Sequence, residues 1–412
     1  MAGVLYLDRI CWGQANKPIR DELGLSNSQM SLIMMAFTLA YGLFEIPTGR
    51  LGDRFGSRAV LTRIVLWWSA FTALTGAGTG FVGLIAIRFL FGAGEAGAFP
   101  NAARVIARWF PLGERGRAQG LMLTAAQVGG TASPALAGFL IEVVGWRWTF
   151  VLFGLVGVFW AVGFWLWFRD DPGTHPSVNA AELQAIQRDS GPTTIDPGPV
   201  PWNRVLANRG ILTLCALMIL GAFFTYFFYS WFQTYLGDAR GIANIGTSWL
   251  ASLVLAGSAV GVFLGGFAAD AITHRAADPV RFRRYLGVVC YLTAAACLYL
   301  GVRCDDAVAV AGFFSASICA MHITLPNWWS VAIPQCGRHV GTIFGFMNGI
   351  GVFGAMASQG FVGLFADWQK ERGLSGREQW DPLFDVYVAV LLAAAGVWWF
   401  YRFTPLEEGD PE

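Results

Sequence analysis

Charged residues are scarce in this 412-residue chain: Asp, Glu, Lys and Arg make up only 13% of it, and only four residues are His. The formal net charge is +1, and there is no basic tail, which argues against nucleic-acid binding. The seven Cys are scattered, with no CxxC pair and no His at metal-ligand spacing, which is typical of small buried hydrophobes. We therefore expect no metal and no other cofactor.

Motifs of catalysis are also missing. The sequence has no Ser/His/Asp pattern, no HExxH and no P-loop, which disfavours an intramembrane enzyme. A transporter-like receptor is a second alternative, but no polar segment is long enough for a signalling domain. No cleavable signal peptide is visible either.

Apolar residues dominate instead. The chain is 55% hydrophobic, with 51 Gly, 33 Phe and 18 Trp, which predicts an all-α polytopic membrane protein. Twelve apolar segments are candidate spans, and eleven of them are long enough to cross a bilayer. The twelve are residues 1–16, 29–50, 59–78, 80–108, 117–141, 147–168, 210–236, 246–270, 284–302, 307–332, 340–366 and 384–403. The first is shorter than the ~20 residues that a span needs, so either its leading half is missing before Met1, which we favour, or it is a half-helix.

The spans divide into two halves. Residues 1–168 form the first half and residues 209–404 the second, with a polar, Pro- and Asp-rich linker at 169–208 and a polar tail at 405–412. Within the linker, AELQAIQR favours a short amphipathic helix. Arginines cluster in alternate loops, at residues 50–63 and 275–284, which places these loops and both termini in the cytoplasm. The short loops suggest a bacterial inner membrane.

Three sequence echoes relate the two halves. GRLGDRFGSR at 49–58 is echoed by GFAADAITHR at 266–275, and FPN at 99–101 by LPN at 325–327. The third echo aligns Arg117, Gly120, Gln127 and Gly130 with Arg338, Gly341, Asn348 and Gly351. Such repeats predict two pseudo-symmetric six-helix halves with a substrate site between them near the midplane.

The most informative stretch is RFLFGAGEAGAFPNAARVIARWFPLGERGRAQG, residues 88–120. It carries Glu95 in an apolar segment, where a charge costs roughly 2.5–3.5 kcal/mol, so the side chain should face a cavity lined by protein or water. The Gly and Ala residues around Glu95 predict close approach of a neighbouring helix. We expect Pro100 to loosen the backbone one turn later.

The motif GRLGDRFGSR resembles the signature of the major facilitator superfamily, with Ser57 in place of the usual basic residue. A narrower set, YLDR at 6–9, ELGLS at 22–26, GxxE before FPN, and WFPLGERGRAQG at 109–120, resembles its anion:cation symporter branch. The chain departs from that branch at Gln233, where Pro is common, and at Glu45, where Gln is more frequent.

This resemblance implies a secondary active transporter. The branch includes proton symporters for hexonates, hexuronates and related sugar acids, so the expected activity is proton-coupled symport of a small organic anion by alternating access. The expected partners are that anion, protons and the lipid bilayer, and we expect a monomer. Exchange is an alternative, although the Gly-Pro pair of antiporters is replaced by Ser133–Pro134. Uniport is another, if the buried carboxylates only brace helices.

Arg9 is the strongest candidate for binding the anion, because a guanidinium matches a carboxylate with two parallel hydrogen bonds and stays protonated. Tyr6 lies on nearly the same helix face, whereas Asp8 points about 100° away. A purely structural ion pair is the alternative for Arg9.

Glu95 and Asp8 are the candidate proton carriers, since the branch uses carboxylates at these two positions. A Glu95–Arg88 brace is the structural alternative, because Arg88 lies two turns away on the same face.

Tyr41, Gln127 and Asn348 are further candidates for substrate binding, with Gln127 and Asn348 expected to face each other across the central cavity. The resemblance also assigns Asp53, Arg54 and Arg58 to the cytoplasmic gate, where charged hydrogen bonds tie helices together in the outward-facing state.

Overall fold

A computed structural model of the protein describes residues 1–111, 114–188, 200–276, 278–336, 340–404 and 406, and these contain helices but no strand. They belong to two compact units, Met1–Ile195 and Asp196–Glu412. The boundary between the units falls inside the predicted linker, of which residues 189–199 lie outside the described residues. The predicted tail, apart from residue 406, also lies outside them.

The first unit is built from six long or medium helices followed by a short one. The apolar segments form helices because a bilayer offers no hydrogen-bond partners to an open backbone. The helices are α1 (Ala2–Leu23), α2 (Asn27–Phe55), α3 (Ser57–Thr75), α4 (Phe81–Glu95), α5 (Ala98–Trp109), α6 (Arg115–Trp167) and α7 (Ala180–Arg188). The last of these confirms the short helix predicted from AELQAIQR.

The second unit contains ten helices in its described part. They are α8 (Trp202–Ala207), α9 (Arg209–Ser230), α10 (Phe232–Arg240), α11 (Asn244–Arg275), α12 (Pro279–Arg303), α13 (Ala307–Gln335), α14 (Val340–Gly349), α15 (Gly351–Glu371), α16 (Arg377–Trp380) and α17 (Leu383–Phe400). The side chains of Asn208, Asp278 and Asp306 accept hydrogen bonds from backbone N–H groups in the first turns of α9, α12 and α13. Each such cap stabilises its helix by about 1 kcal/mol.

The helices account for twelve crossings. Eight ranges of the described chain are long and apolar enough to span a membrane, and one of them, Arg117–Trp167, is broken at Gly145 and holds two crossings. Gly145 has φ 79°, a conformation that glycine adopts without steric cost. With α1, α2 and α3 the first unit has six crossings and the second unit also has six, which confirms the predicted fold class.

The first helix ends later than the sequence predicted. We expected its apolar segment to end at residue 16, but α1 continues to Leu23 and ends at Gly24, whose φ of 64° closes the helix. Pro18 lies inside α1, where it removes one backbone hydrogen bond and its ring crowds the preceding turn, yet the helix continues.

Candidate functional site

A buried ion pair joins α1 to α4. The Nε of Arg9 donates to Oε1 of Glu95 over 2.9 Å, and Nη2 of the same guanidinium contacts the same oxygen at shorter range. The side chains of Arg9 and Glu95 are only 10% and 1% exposed. Within the described chain Glu95 makes its ion pair with Arg9, and the alternative of a Glu95–Arg88 brace stays a prediction.

Three aromatic rings surround the guanidinium of Arg9. Its central carbon lies 5.6 Å from the ring centroid of Tyr6, 5.2 Å from that of Phe37 and 4.7 Å from that of Tyr41. Cation–π contacts of this kind contribute about 0.5–2 kcal/mol and fix the plane of the guanidinium. The predicted shared face of Tyr6 and Arg9 is therefore present, and Tyr41 joins them from α2.

Arg88 is a second buried cation, which sequence reasoning treated only as a brace. Its side chain is 3% exposed, and its guanidinium carbon lies 4.7 Å from the ring centroids of both Trp12 and Phe37. Among the residues that the structure describes, none accepts a hydrogen bond from the Nε of Arg88. Both guanidinium groups thus contact the Phe37 ring. The sequence feature that could have identified Arg88 is a single arginine in an apolar segment, because a charge inside a membrane span is costly and usually has a functional role.

Asp8 is buried on α1, with 1% of its surface exposed. Neither carboxylate oxygen accepts a hydrogen bond of normal geometry in the described part of the chain, and the neighbouring hydrogen-bond donor is the indole Nε1 of Trp68. An ionised carboxylate without a partner is expensive in such surroundings, whereas a neutral carboxyl group is much less so. Asp8 makes no ion pair with Arg9 in the described part of the chain, but it lies near enough to Glu95 for the two carboxyl groups to interact electrostatically.

Close packing of α4 against α2 and α3 fixes the position of Glu95. A Cβ on Gly92 would lie 2.4 Å from the carbonyl oxygen of Phe37, and one on Gly94 would lie 1.6 Å from Cδ1 of Trp67. At both positions only the hydrogen atom of a glycine fits between the helices. The predicted close approach of neighbouring helices at small residues is therefore confirmed. The backbone break that follows lies at Gly97, with φ 82°, and not at Pro100, as we had expected. Pro100 is in the first turn of α5, where its missing N–H has no partner to lose.

The helix α6 packs against another face of α1. The hydroxyl of Ser133 donates to the carbonyl oxygen of Leu7 over 2.7 Å, and a Cβ on Gly129 would lie 2.2 Å from the carbonyl oxygen of Gly3. Gln127 is half-buried two residues before this contact. Asn348 lies in the second unit, on α14, where its side chain is exposed. That these two amides face each other stays a prediction.

The predicted gate residues lie where α2 meets α3. The backbone N–H of Arg58 donates to Oδ1 of Asp170 over 2.9 Å, and its Nε donates to the carbonyl oxygen of Trp165 over 2.9 Å. Arg58 thereby ties the start of α3 to the end of α6. Arg54 is exposed, with its guanidinium over the ring of Phe55.

Other charged positions named from the sequence fall partly outside the description. The side chain of Asp53 is outside it, and so is Arg338 of the third repeat. Glu45 is half-buried, and the hydroxyl of Tyr41 lies 3.5 Å from its Oε1. Gln233 is 4% exposed on α10, and neither its amide nitrogen nor its amide oxygen has a hydrogen-bond partner in the described ranges. The seventh crossing breaks just before it, at Trp231, although Gln233 replaces the helix-breaking Pro.

The chain matches the sequence profile of a known family of membrane proteins. The sequence profile of the Major Facilitator Superfamily matches residues 1–359. The chain belongs to the major facilitator superfamily. As a member of this superfamily it is a multi-pass membrane transporter of small molecules and not an enzyme.

Two curated relatives cover most of the chain. A probable sulfoacetate transporter of Cupriavidus necator is 32% identical over 86% of this chain and 82% of its own length. A probable galactarate/D-glucarate transporter of Bacillus subtilis is 30% identical over 89% of this chain and 84% of its own. This superfamily member is therefore related to transporters of small organic anions, including sugar acids.

Solved structures agree on the fold. A bacterial homologue of the human lysosomal transporter Spinster superposes with a TM-score of 0.81, over 97% of this chain and 94% of that one, at 20% sequence identity. At this identity the likeness establishes the fold of the superfamily alone.

Proposed function

We propose that the protein is a proton-coupled symporter of a small organic anion, a sugar acid of the hexonate or hexuronate kind. The observation that carries the proposal is the buried pair of Arg9 and Glu95, in which the carboxylate occupies the same N–H groups that an anionic substrate needs. A substrate carboxylate and Glu95 therefore compete for one guanidinium fork.

Competition of this kind couples the anion to a proton. When the substrate takes Arg9, the displaced carboxylate of Glu95 is left buried without a partner, and taking up a proton removes most of that cost. When the substrate leaves, the guanidinium again favours the ionised form of Glu95, and the proton departs. Anion and proton thus enter and leave together, which is the requirement for symport.

The remaining candidates complete the site. Tyr6 and Tyr41 orient the guanidinium, and Arg88 adds a second positive charge beside Phe37 that favours an anion. Asp8, buried beside the indole of Trp68, is a further proton carrier. Gln127 and Asn348 bind substrate hydroxyl groups, and Asp53, Arg54 and Arg58 form the cytoplasmic gate.

We further propose a monomer in a bacterial inner membrane with both termini in the cytoplasm. One chain carries both six-crossing halves, and the arginine-rich loops at 50–63 and 275–284 favour the cytoplasmic side. The two halves then alternate in exposing the site to each side of the membrane.

The test is uptake into proteoliposomes with an alkaline interior. Labelled galactonate, glucuronate, glucarate and sulfoacetate are offered to the wild type, to Glu95→Gln and to the control Glu142→Gln, which alters an exposed carboxylate on α6. We expect gradient-driven uptake of one sugar acid by the wild type and the control, and only exchange by Glu95→Gln. Uptake that ignores the pH gradient in all three proteins would instead support uniport or exchange.

A further inference from the structure

An open groove runs between α3 and the second segment of α6 on the surface of the first unit. Its volume is about 700 Å³. Two indoles, of Trp67 and Trp165, and the small Ala59 and Ala161 are among its walls. The side chains of Trp67, Val162 and Trp165 are 42–50% exposed in the whole chain. In a multi-pass membrane protein such an exposed apolar surface faces lipid.

A cation lies at the groove without a protein partner. Arg63 lines the groove and is exposed, and it has neither a hydrogen bond nor an ion pair in the described chain. It lies six residues into α3, about 9 Å along the helix axis. A guanidinium at this depth reaches towards the headgroup layer, where lipid phosphates are the available anions.

A second guanidinium adjoins the same end of the groove. The guanidinium carbon of Arg58 lies 4.3 Å from the ring centroid of Trp165, which forms one wall. Arg58 and Arg63 both lie near the start of α3, whereas Leu66 and Trp67 lie one turn deeper. The carboxylate of Asp170 accepts from the backbone N–H of Arg58 at the same end, so this end carries two guanidiniums against one carboxylate, and the groove is apolar along its length.

The length of the groove suits an acyl chain. From Ala59 to Trp67 the helix rises about 12 Å, close to the ~15 Å of hydrocarbon in one leaflet. Tryptophan side chains favour the boundary between headgroups and hydrocarbon, which matches indoles on both walls.

We propose that an anionic phospholipid occupies this groove, with its phosphate on Arg63 and Arg58 and one acyl chain along α3 and α6 between Trp67 and Trp165. A net negative headgroup fits better than a zwitterionic one, because two guanidiniums repel a choline or amine. Neither Arg9 nor Glu95 lines this groove, and the proposal does not depend on which anion the protein carries.

The test uses native mass spectrometry of the delipidated full chain in detergent, titrated with phosphatidylglycerol or with phosphatidylcholine of the same acyl chains. Two variants alter the groove: Arg63→Gln removes the free charge, and Val162→Trp fills the apolar part. Their matched controls are Arg303→Gln, at an exposed arginine of α12, and Val156→Trp, at an exposed position of α6 that does not line the groove.

The wild type and both controls should retain one phosphatidylglycerol more tightly than phosphatidylcholine. Arg63→Gln should weaken phosphatidylglycerol binding about fivefold, because each basic residue near a membrane surface contributes about that factor. Val162→Trp should weaken both lipids. Equal retention of the two lipids by the wild type, or unchanged phosphatidylglycerol binding in both groove variants, would overturn the proposal.

Discussion

Replacing Arg9 with Lys keeps the positive charge of the site but removes the planar pair of N–H donors that the guanidinium provides. The guanidinium directs two N–H groups at one carboxylate oxygen and lies within 5.6 Å of three aromatic ring centroids, whereas an ammonium is a point charge with no fixed plane. Losing one charge-assisted hydrogen bond to the substrate costs about 1.5–3 kcal/mol. We therefore expect the Kd of the transported anion to rise roughly 10- to 100-fold.

The assay is binding of the anion to purified protein by isothermal titration calorimetry at fixed pH. Arg303→Lys, which makes the same exchange at an exposed position of the second unit, is the control and should bind as the wild type does. Thermal unfolding of both variants checks that they are folded. A Kd for Arg9→Lys within twofold of the wild-type value would refute the role of the guanidinium fork.

Three further substitutions test the surroundings of the site. Arg88→Gln should weaken anion binding about tenfold in the same assay, because a unit charge about 10 Å away is worth roughly 1–2 kcal/mol at an effective dielectric constant of 20; unchanged affinity would exclude Arg88. Gly94→Ala forces Trp67 to move and should lower the free energy of unfolding by about 1–3 kcal/mol in thermal melts, and Trp67→Ala should restore part of it. Gly56→Ala, at φ 80° and with its Cβ 2.6 Å from a carboxylate oxygen of Asp170, should lower the free energy of unfolding by about 1–2 kcal/mol in the same melts. An unchanged free energy of unfolding would contradict the positive φ and the close contact at this turn before α3.

The sequence predicted those parts of the fold that depend on local pattern. Helical spacing placed Tyr6 and Arg9 on one face, and the run of small residues around Glu95 predicted close helix packing; both are present. The exact ends of the helices could not be predicted as well. The first helix continues past Pro18 because neighbouring helices and local backbone adjustments satisfy the freed carbonyl group in membrane helices. The break after α4 falls at Gly97 because that turn needs a positive φ.

Partners distant in sequence were harder to predict. Spacing along one helix suggested that Arg88 pairs with Glu95, but the guanidinium that reaches this carboxylate belongs to Arg9, 86 residues away. Only the packing of α1 against its neighbours decides between two equally charged candidates. The same holds for Phe37, whose ring contacts both guanidiniums and which no polar pattern marked in the sequence.

The central claim is that substrate displaces Glu95 from Arg9 and that Glu95 then takes a proton. The direct measurement is the number of protons taken up per bound anion, obtained by titration calorimetry at pH 8 in buffers of different ionisation enthalpy. The account predicts uptake of about one proton per anion by the wild type, because binding and protonation are linked at one carboxylate, and none by Glu95→Gln. Anion binding to the wild type without proton uptake, or equal uptake in both proteins, would contradict it.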